Sequence, residues 1–234
     1  MCTIKLPAGV IENIDRIRKQ CLWRGNDRTK KGGCLAAWPM IMKPKLKGGL
    51  GVINLRLQND ALLLKQLHKF YNKRDIPWVQ LVWSKYYANG KVPHGTKELG
   101  SFLWKELLRL SVFYRGIARC QIGDGASVLF WEDLWSSEVL ALKYPCLFSF
   151  VRNTSLSMKN VRETEDLDTL FTLPLSEQAF NELQDLQLEL HSVPYDDAQI
   201  DSWVFIWGSS IYSSQKFYAL SFKSMATSPC FTWL

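Results

Sequence analysis

Apolar residues recur at helical spacing near the start of the chain. Val10, Ile14, Ile17 and Cys21 form one stripe, with Glu12/Arg16 and Asp15/Lys19 as i,i+4 pairs beside it. Pro7 stands where a helix can begin and Gly25 where it can end. Residues 26–51 are polar, basic and glycine-rich, and read as a long loop with at most one short strand. A second helix starts near Asn54 or Asn59. Its inner side holds Leu57, Ala61, Leu64 and Tyr71, widened by Leu63, Leu67 and Phe70, with Lys65, Lys69 and Lys73 opposite. A third helix follows Pro77. A fourth follows Ser101, a good N-cap, with Leu103, Leu107 and Leu110 inside.

The pattern then changes. Residues 119–131 read as two short strands around Gly123-Asp124-Gly125. Residues 136–175 are irregular. Ala179, Leu183, Leu186 and Leu190 mark a helix capped by Ser176. A second hairpin is expected from Ser202–Trp207 and Ile211–Ser214 around Gly208-Ser209-Ser210, and a helical start follows at Phe217. The last residues, Trp233-Leu234, interrupt an apolar pattern and read as an incomplete C-terminus. The expected fold class is α+β: a mostly helical basic portion over residues 1–115 and a mixed portion with short β-hairpins over residues 116–234.

Charge sharpens this division. Residues 1–120 carry 23 Lys and Arg against 7 Asp and Glu; residues 121–234 carry 6 against 15. A basic half points to a polyanion such as RNA or DNA, or to pairing with the chain's own acidic half. At 47% hydrophobic residues, with ten tryptophans, the composition is that of a folded protein. The six cysteines show no C-x-x-C pair and no disulfide framework, so buried free thiols in a reducing compartment are expected. The N-terminus lacks the apolar core of a signal peptide. No run approaches the ~18 apolar residues of a membrane span. An intracellular protein is expected, the nucleus included, with no membrane partner.

The candidate chemistry is sparse. In KPKLKGGLGVIN (residues 43–54) the lysines precede the glycines, whereas a phosphate-binding P-loop ends in Gly-Lys-Ser/Thr. The glycines serve a turn. Lys43, Lys45 and Lys47 alternate with Pro44 and Leu46, and would share one side of an extended segment as a ridge for a phosphate backbone. Arg24, Lys30 and Lys31 are further candidate contacts, with Lys65 and Lys69 next. PYDD (194–197) lacks the aromatic residue that a polymerase Asp-Asp box carries at its first position, and reads as an acidic turn. Glu132 and Asp133 read as caps or ion-pair partners. The three histidines have no ligand-spaced neighbours, so no metal site, cofactor or catalytic residue is expected. Trp104, Trp131, Trp135, Trp203 and Trp207 could stack on bases but read mainly as core.

Several segments in order resemble one family. CLWRG (21–25), AAW (36–38), KPKLKGGLGVINL (43–55) and NDALLLK (59–65) resemble the region after the polymerase in plant LINE-type (non-LTR) retrotransposon reverse transcriptases. SFLWKEL (101–107), YRGIARCQIGDGASVLFWEDLW (114–135), LPLSEQA (173–179) and DSWVFIWGSSIYSS (201–214) are similar to the blocks that follow. The resemblance covers nearly the whole chain. It implies an endonuclease and polymerase upstream and a zinc-binding Cys/His domain whose start is truncated here, with this segment between them carrying neither catalytic centre. Gln66 and His68 stand where the family usually has Trp, and Met42 where it often has Cys. The implied function is a non-catalytic fragment that binds RNA or DNA phosphates without reading sequence. The alternatives are a protein-interaction module with no nucleic-acid affinity, and an enzyme in its own right, for which a metal site or a nucleophile with its base would be needed.

Overall fold

The computed structural model describes residues 4–24, 36–86, 92, 100–196 and 198–224. Among these the helices run in the order α1 (Ala8–Arg24), α2 (Trp38–Ile41), α3 (Leu55–Tyr71), α4 (Pro77–Tyr86), α5 (Phe102–Arg109), α6 (Ser111–Gly116), α7 (Leu140–Lys143), α8 (Pro145–Phe148), α9 (Met158–Glu163), α10 (Glu177–Ser192) and α11 (Ser214–Leu220). Strands β1 (Ala118–Gln121) and β2 (Ser202–Phe205) complete an α+β fold, and 3₁₀ turns occupy Lys45–Lys47 and Leu167–Leu170. Two compact units are formed: residues 1–65 with 213–234, and residues 66–212.

In the first unit the carbonyl of Pro7 accepts the first helical N–H bonds of α1, from Val10 and Ile11 at 3.1 and 3.2 Å. The expected stripe of α1 faces outward. Val10, Ile14, Ile17 and Cys21 are exposed, and Ile11 is the buried residue. The helix is turned because Arg18 donates to the carbonyl of Ile53 at 2.8 Å, pairs with Asp15 and lies over the ring of Trp38. These contacts select the Ile11–Asp15–Arg18 side as the inner one. Buried Asn59 accepts from Leu6 N–H and donates to the Ile4 carbonyl, holding the N-terminal segment against α3, beside the Lys5–Asp60 ion pair. Asn54 starts α3: its side-chain oxygen accepts from the N–H groups of Arg56 and Leu57, and its own N–H reaches Tyr218 on α11 at 2.9 Å.

In place of the expected strand between residues 26 and 51 there is α2, where the Ala37 carbonyl accepts from Met40 and Ile41 and Pro39 favours the first turn. Residues 43–51 then fold onto themselves. Gly48 and Gly51 adopt φ of 80° and 72°, in the left-handed region. Gly49 passes so close to Lys43 that a Cβ would sit 2.1 Å from the Lys43 oxygen.

In the second unit the inner face of α3 is as expected. Leu67, Phe70 and Tyr71 are fully buried. Phe70 stacks on Trp83 and meets Trp104 edge-on, with centroids 4.8 and 4.6 Å away. Ser101 caps α5 through the Trp104 N–H, and Ser176 caps α10 through the Ala179 N–H, each at 3.2 Å. Leu107 on α5 and Leu110 at its C-terminal cap are buried but Leu103 is exposed, and Trp104 and Leu108 take its place inside.

The two expected hairpins do not each close on themselves. β1 pairs antiparallel with β2, in the register Ala118 with Phe205 through Gln121 with Ser202. Residues Val128–Trp131 form no strand beside β1; they are buried on every side and run through the core. The later turn falls at Ile206–Gly208, closed by a single bridge from Phe205 to Ser209. The stretch read as irregular holds the one-turn helices α7 and α8 together with α9.

Candidate functional site

The cations concentrate in the first unit. It carries fifteen Lys and Arg against four Asp and Glu, and the second unit carries fourteen against eighteen. Arg24 is exposed in the last turn of α1, Lys45 on the 3₁₀ turn and Lys65 on α3. Lys43 and Lys47 are half-buried. Lys69 belongs to the second unit and is half-buried there. Lys30 and Lys31 lie outside the described residues. The expected ridge of three lysines on an extended segment is corrected: Lys45–Lys47 is a 3₁₀ turn, whose side chains splay about 120° apart. The turn is tightly tied. Lys47 N–H donates to Pro44, Gly48 N–H to Lys45, Gly49 N–H to Pro44 and Gly51 N–H to Lys43, at 2.8–3.1 Å, and Leu50 N–H returns to Ile41.

Several charges of the second unit are used internally. The Asp201 carboxylate accepts from the N–H groups of Gly123, Gly125 and Ser127 and from the Ser127 hydroxyl, at 2.8–2.9 Å. This wraps the Gly-Asp-Gly segment around a residue more than seventy positions later. It is why the expected tight turn is absent. Arg115 and Asp133 form a buried ion pair, as expected for Asp133, which also accepts from Leu129 N–H at 2.6 Å. The Arg115 guanidinium lies 4.6 Å from the Tyr71 ring centroid and 5.4 Å from that of Trp203. Burial works against its charge, but Asp133 and Tyr71 more than offset it and the pKa rises.

Asp124 pairs with Lys73 at 2.8 Å. Burial would raise the Asp124 pKa, and the bonds from Lys73 and the Ala126 N–H bring it below the usual value. Glu189 on α10 accepts from Ser136, Lys143 and Tyr144, which overcome burial and lower its pKa. His68 is held neutral, its pKa pushed down to about 4 by burial and by Arg74, with its Nδ1 3.0 Å from the Tyr114 hydroxyl. Burial raises the Cys120 thiol well above its ordinary value. Cys146 is half-buried, and Cys21, against expectation, is exposed.

In PYDD, Tyr195 donates to the Asp124 carbonyl at 3.0 Å and Asp196 accepts from Ala198 N–H; Asp197 lies outside the described residues. Trp104, Trp131, Trp135 and Trp203 are core residues, and Trp207 stacks on Phe205 at 4.8 Å. Among the described residues no group of three or more His, Cys, Asp or Glu side chains is placed to hold a metal ion. An open cleft of about 900 Å³ runs along the outer face of the β1–β2 ribbon, past Arg119, Leu134, Val193, Val204 and Ile206. Sequence reading missed Arg115 and Asp201 as organising residues. A lone Arg in a short helix and a lone Asp before a strand carry no local signal of the partners they reach.

No protein-family profile matches the chain. No solved structure matches it. Two Arabidopsis thaliana proteins are similar. One is named for ribonuclease H and is 28% identical over 142 residues, 58% of this chain and 23% of its own length. The other is an uncharacterized mitochondrial protein, 29% identical over 118 residues, 48% of this chain and 75% of its own length. The chain thus spans under a quarter of the first relative. These likenesses support kinship with retroelement-like sequences at that coarse level.

Proposed function

We propose that this chain is the part of a LINE-type retrotransposon reverse transcriptase protein between the polymerase and the C-terminal zinc-binding domain. It has no catalytic centre of its own and grips RNA or DNA phosphates without reading sequence, inside the cell and in the nucleus. The observation that carries this reading is the excess of cations in the first unit, with Arg24, Lys45 and Lys65 exposed. The ordered family motifs and the two Arabidopsis relatives support the kinship. The non-catalytic reading is supported by the carboxylates of the second unit, since Asp124, Asp133, Glu189 and Asp201 each hold the fold together.

The test is fluorescence anisotropy with labelled single-stranded RNA and duplex DNA. If Lys43, Lys45 and Lys47 neutralise three duplex phosphates, raising salt fourfold weakens binding about 40-fold through counterion release, and changing all three to Ala removes that dependence. Salt-independent binding, or none by the folded protein, refutes the reading. A second reading, docking of another protein, rests on the exposed α1 stripe of Val10, Ile14 and Ile17. Concentration-dependent self-association without nucleic-acid affinity would favour it.

A further inference from the structure

Val10, Ile14, Ile17 and Cys21 line one exposed side of α1, with Val10 43%, Ile14 36% and Ile17 58% open to solvent. The helix beneath them is already fixed: Ile11 is buried, and Arg18 donates to the Ile53 carbonyl and lies over Trp38. The outer side therefore needs no ordering before it is used. The stripe advances by four, three and four residues, the spacing of a coiled-coil seam. Those steps read the same from either end. A second α1 laid antiparallel sets Ile14 opposite Ile17 at the centre and Val10 opposite Cys21 at both ends. Each copy then gives and receives the same contacts, as a two-fold interface requires.

Charge selects the direction. From Ala8 to Asp15 the helix holds two acids, Glu12 and Asp15, and no base; from Arg16 to Arg24 it holds four bases, Arg16, Arg18, Lys19 and Arg24, and no acid. An antiparallel copy lays the acidic half on the basic half. A parallel copy lays basic on basic. These side chains stand off the seam and are partly screened, so they choose the orientation and add little hold. We infer that α1 pairs antiparallel with α1 of a second copy of this chain through Val10, Ile14, Ile17 and Cys21. This names the partner for the second reading above, on which it rests, and is independent of nucleic-acid binding. The four residues of both copies bring together about 600 Å² of apolar surface, short of the roughly 1,000 Å² of a standard interface, so the dimer is weak, with a Kd on the order of tens of micromolar.

Sedimentation equilibrium of the full chain, over concentrations that bracket that Kd, tests the pairing. A monomer–dimer equilibrium is expected, weakened at least about tenfold by Ile17→Asp, which puts a carboxylate into the closed seam. As a change at an exposed position, Ile17→Asp leaves the circular dichroism spectrum unaltered. Orientation is read by oxidation with copper phenanthroline followed by peptide mapping. Val10→Cys is expected to give a disulfide between position 10 of one copy and Cys21 of the other. In the wild type the two Cys21 thiols lie about 16 Å apart along the axis, at about 1.5 Å per residue, and stay unbridged. A wild-type bridge between the two Cys21 thiols shows a parallel pair and overturns the inference. So does a dimer that Ile17→Asp leaves intact, which also removes α1 from the second reading. A chain that stays monomeric throughout overturns self-pairing alone: the second reading then falls to a different protein, and the nucleic-acid reading is untouched.

Discussion

Replacing Asp201 should unfasten the loop that joins β1 to the core. The residue is 2% exposed, and its carboxylate serves three backbone N–H groups and one hydroxyl. Asp201→Ala leaves those donors without an acceptor. A buried donor left unmet costs about 1–3 kcal/mol, and bonds to a charged acceptor lie at the upper end. Water entering the loosened loop recovers part of this, so a net loss of about 4–6 kcal/mol is expected. Asp201→Asn keeps the shape and one oxygen for Gly123 and Gly125. It turns an NH₂ toward the Ser127 N–H, for a loss of about 2 kcal/mol. Urea unfolding followed by tryptophan fluorescence gives the total. Hydrogen exchange at the amides of Gly123, Gly125 and Ser127 gives the local effect, and these three should lose protection first. If Asp201→Ala costs under 1 kcal/mol and the three amides stay protected, the carboxylate does not hold the loop.

Three more expectations are direct. Arg115→Met strands the buried Asp133 carboxylate and should cost about 3–5 kcal/mol in urea unfolding, with partial recovery on adding Asp133→Asn. Gly49→Ala drives a Cβ into the Lys43 backbone and should cost over about 2 kcal/mol, while Gly9→Ala, with open space around it in α1, should stabilise by about 0.5–1 kcal/mol; thermal melts compare them. His68 titrates near 4 in the folded state against 6.5 unfolded. As pH falls from 6.5 to 4 the unfolded chain takes up a proton that the folded chain refuses, so stability falls across that window, by about 1–2 kcal/mol after solvent screening; His68→Gln should remove this part of a urea-midpoint pH profile.

What could be read in advance was what neighbours in sequence decide. Asn54, Ser101 and Ser176 each cap a helix through N–H groups two or three residues on, so they announce themselves. The inner face of α3 follows from its own periodicity. For α1 periodicity found an apolar stripe but not its direction, because Arg18 reaches the Ile53 carbonyl 35 positions away. The first hairpin failed for the same reason: Asp201 gathers the donors of residues 123–127, and β2 then becomes the partner of β1. Of the candidate contacts, the excess of cations could be counted from composition. Their arrangement could not, since Gly48 and Gly51 curl the lysine segment into a 3₁₀ turn.

The pairing of β1 with β2 also sets a timetable. During synthesis β1 is complete at Gln121, but its partner ends at Phe205. At roughly 5–20 residues per second, the intervening stretch of about eighty residues takes on the order of 4–16 s to emerge. Throughout that interval Ala118 and Cys120, buried in the finished protein, have no strand to lie against. The second unit therefore cannot close on the ribosome until its last few residues are made. Any product halted before Ser202 carries an unpaired strand and an open core, which makes it a substrate for chaperones and proteases.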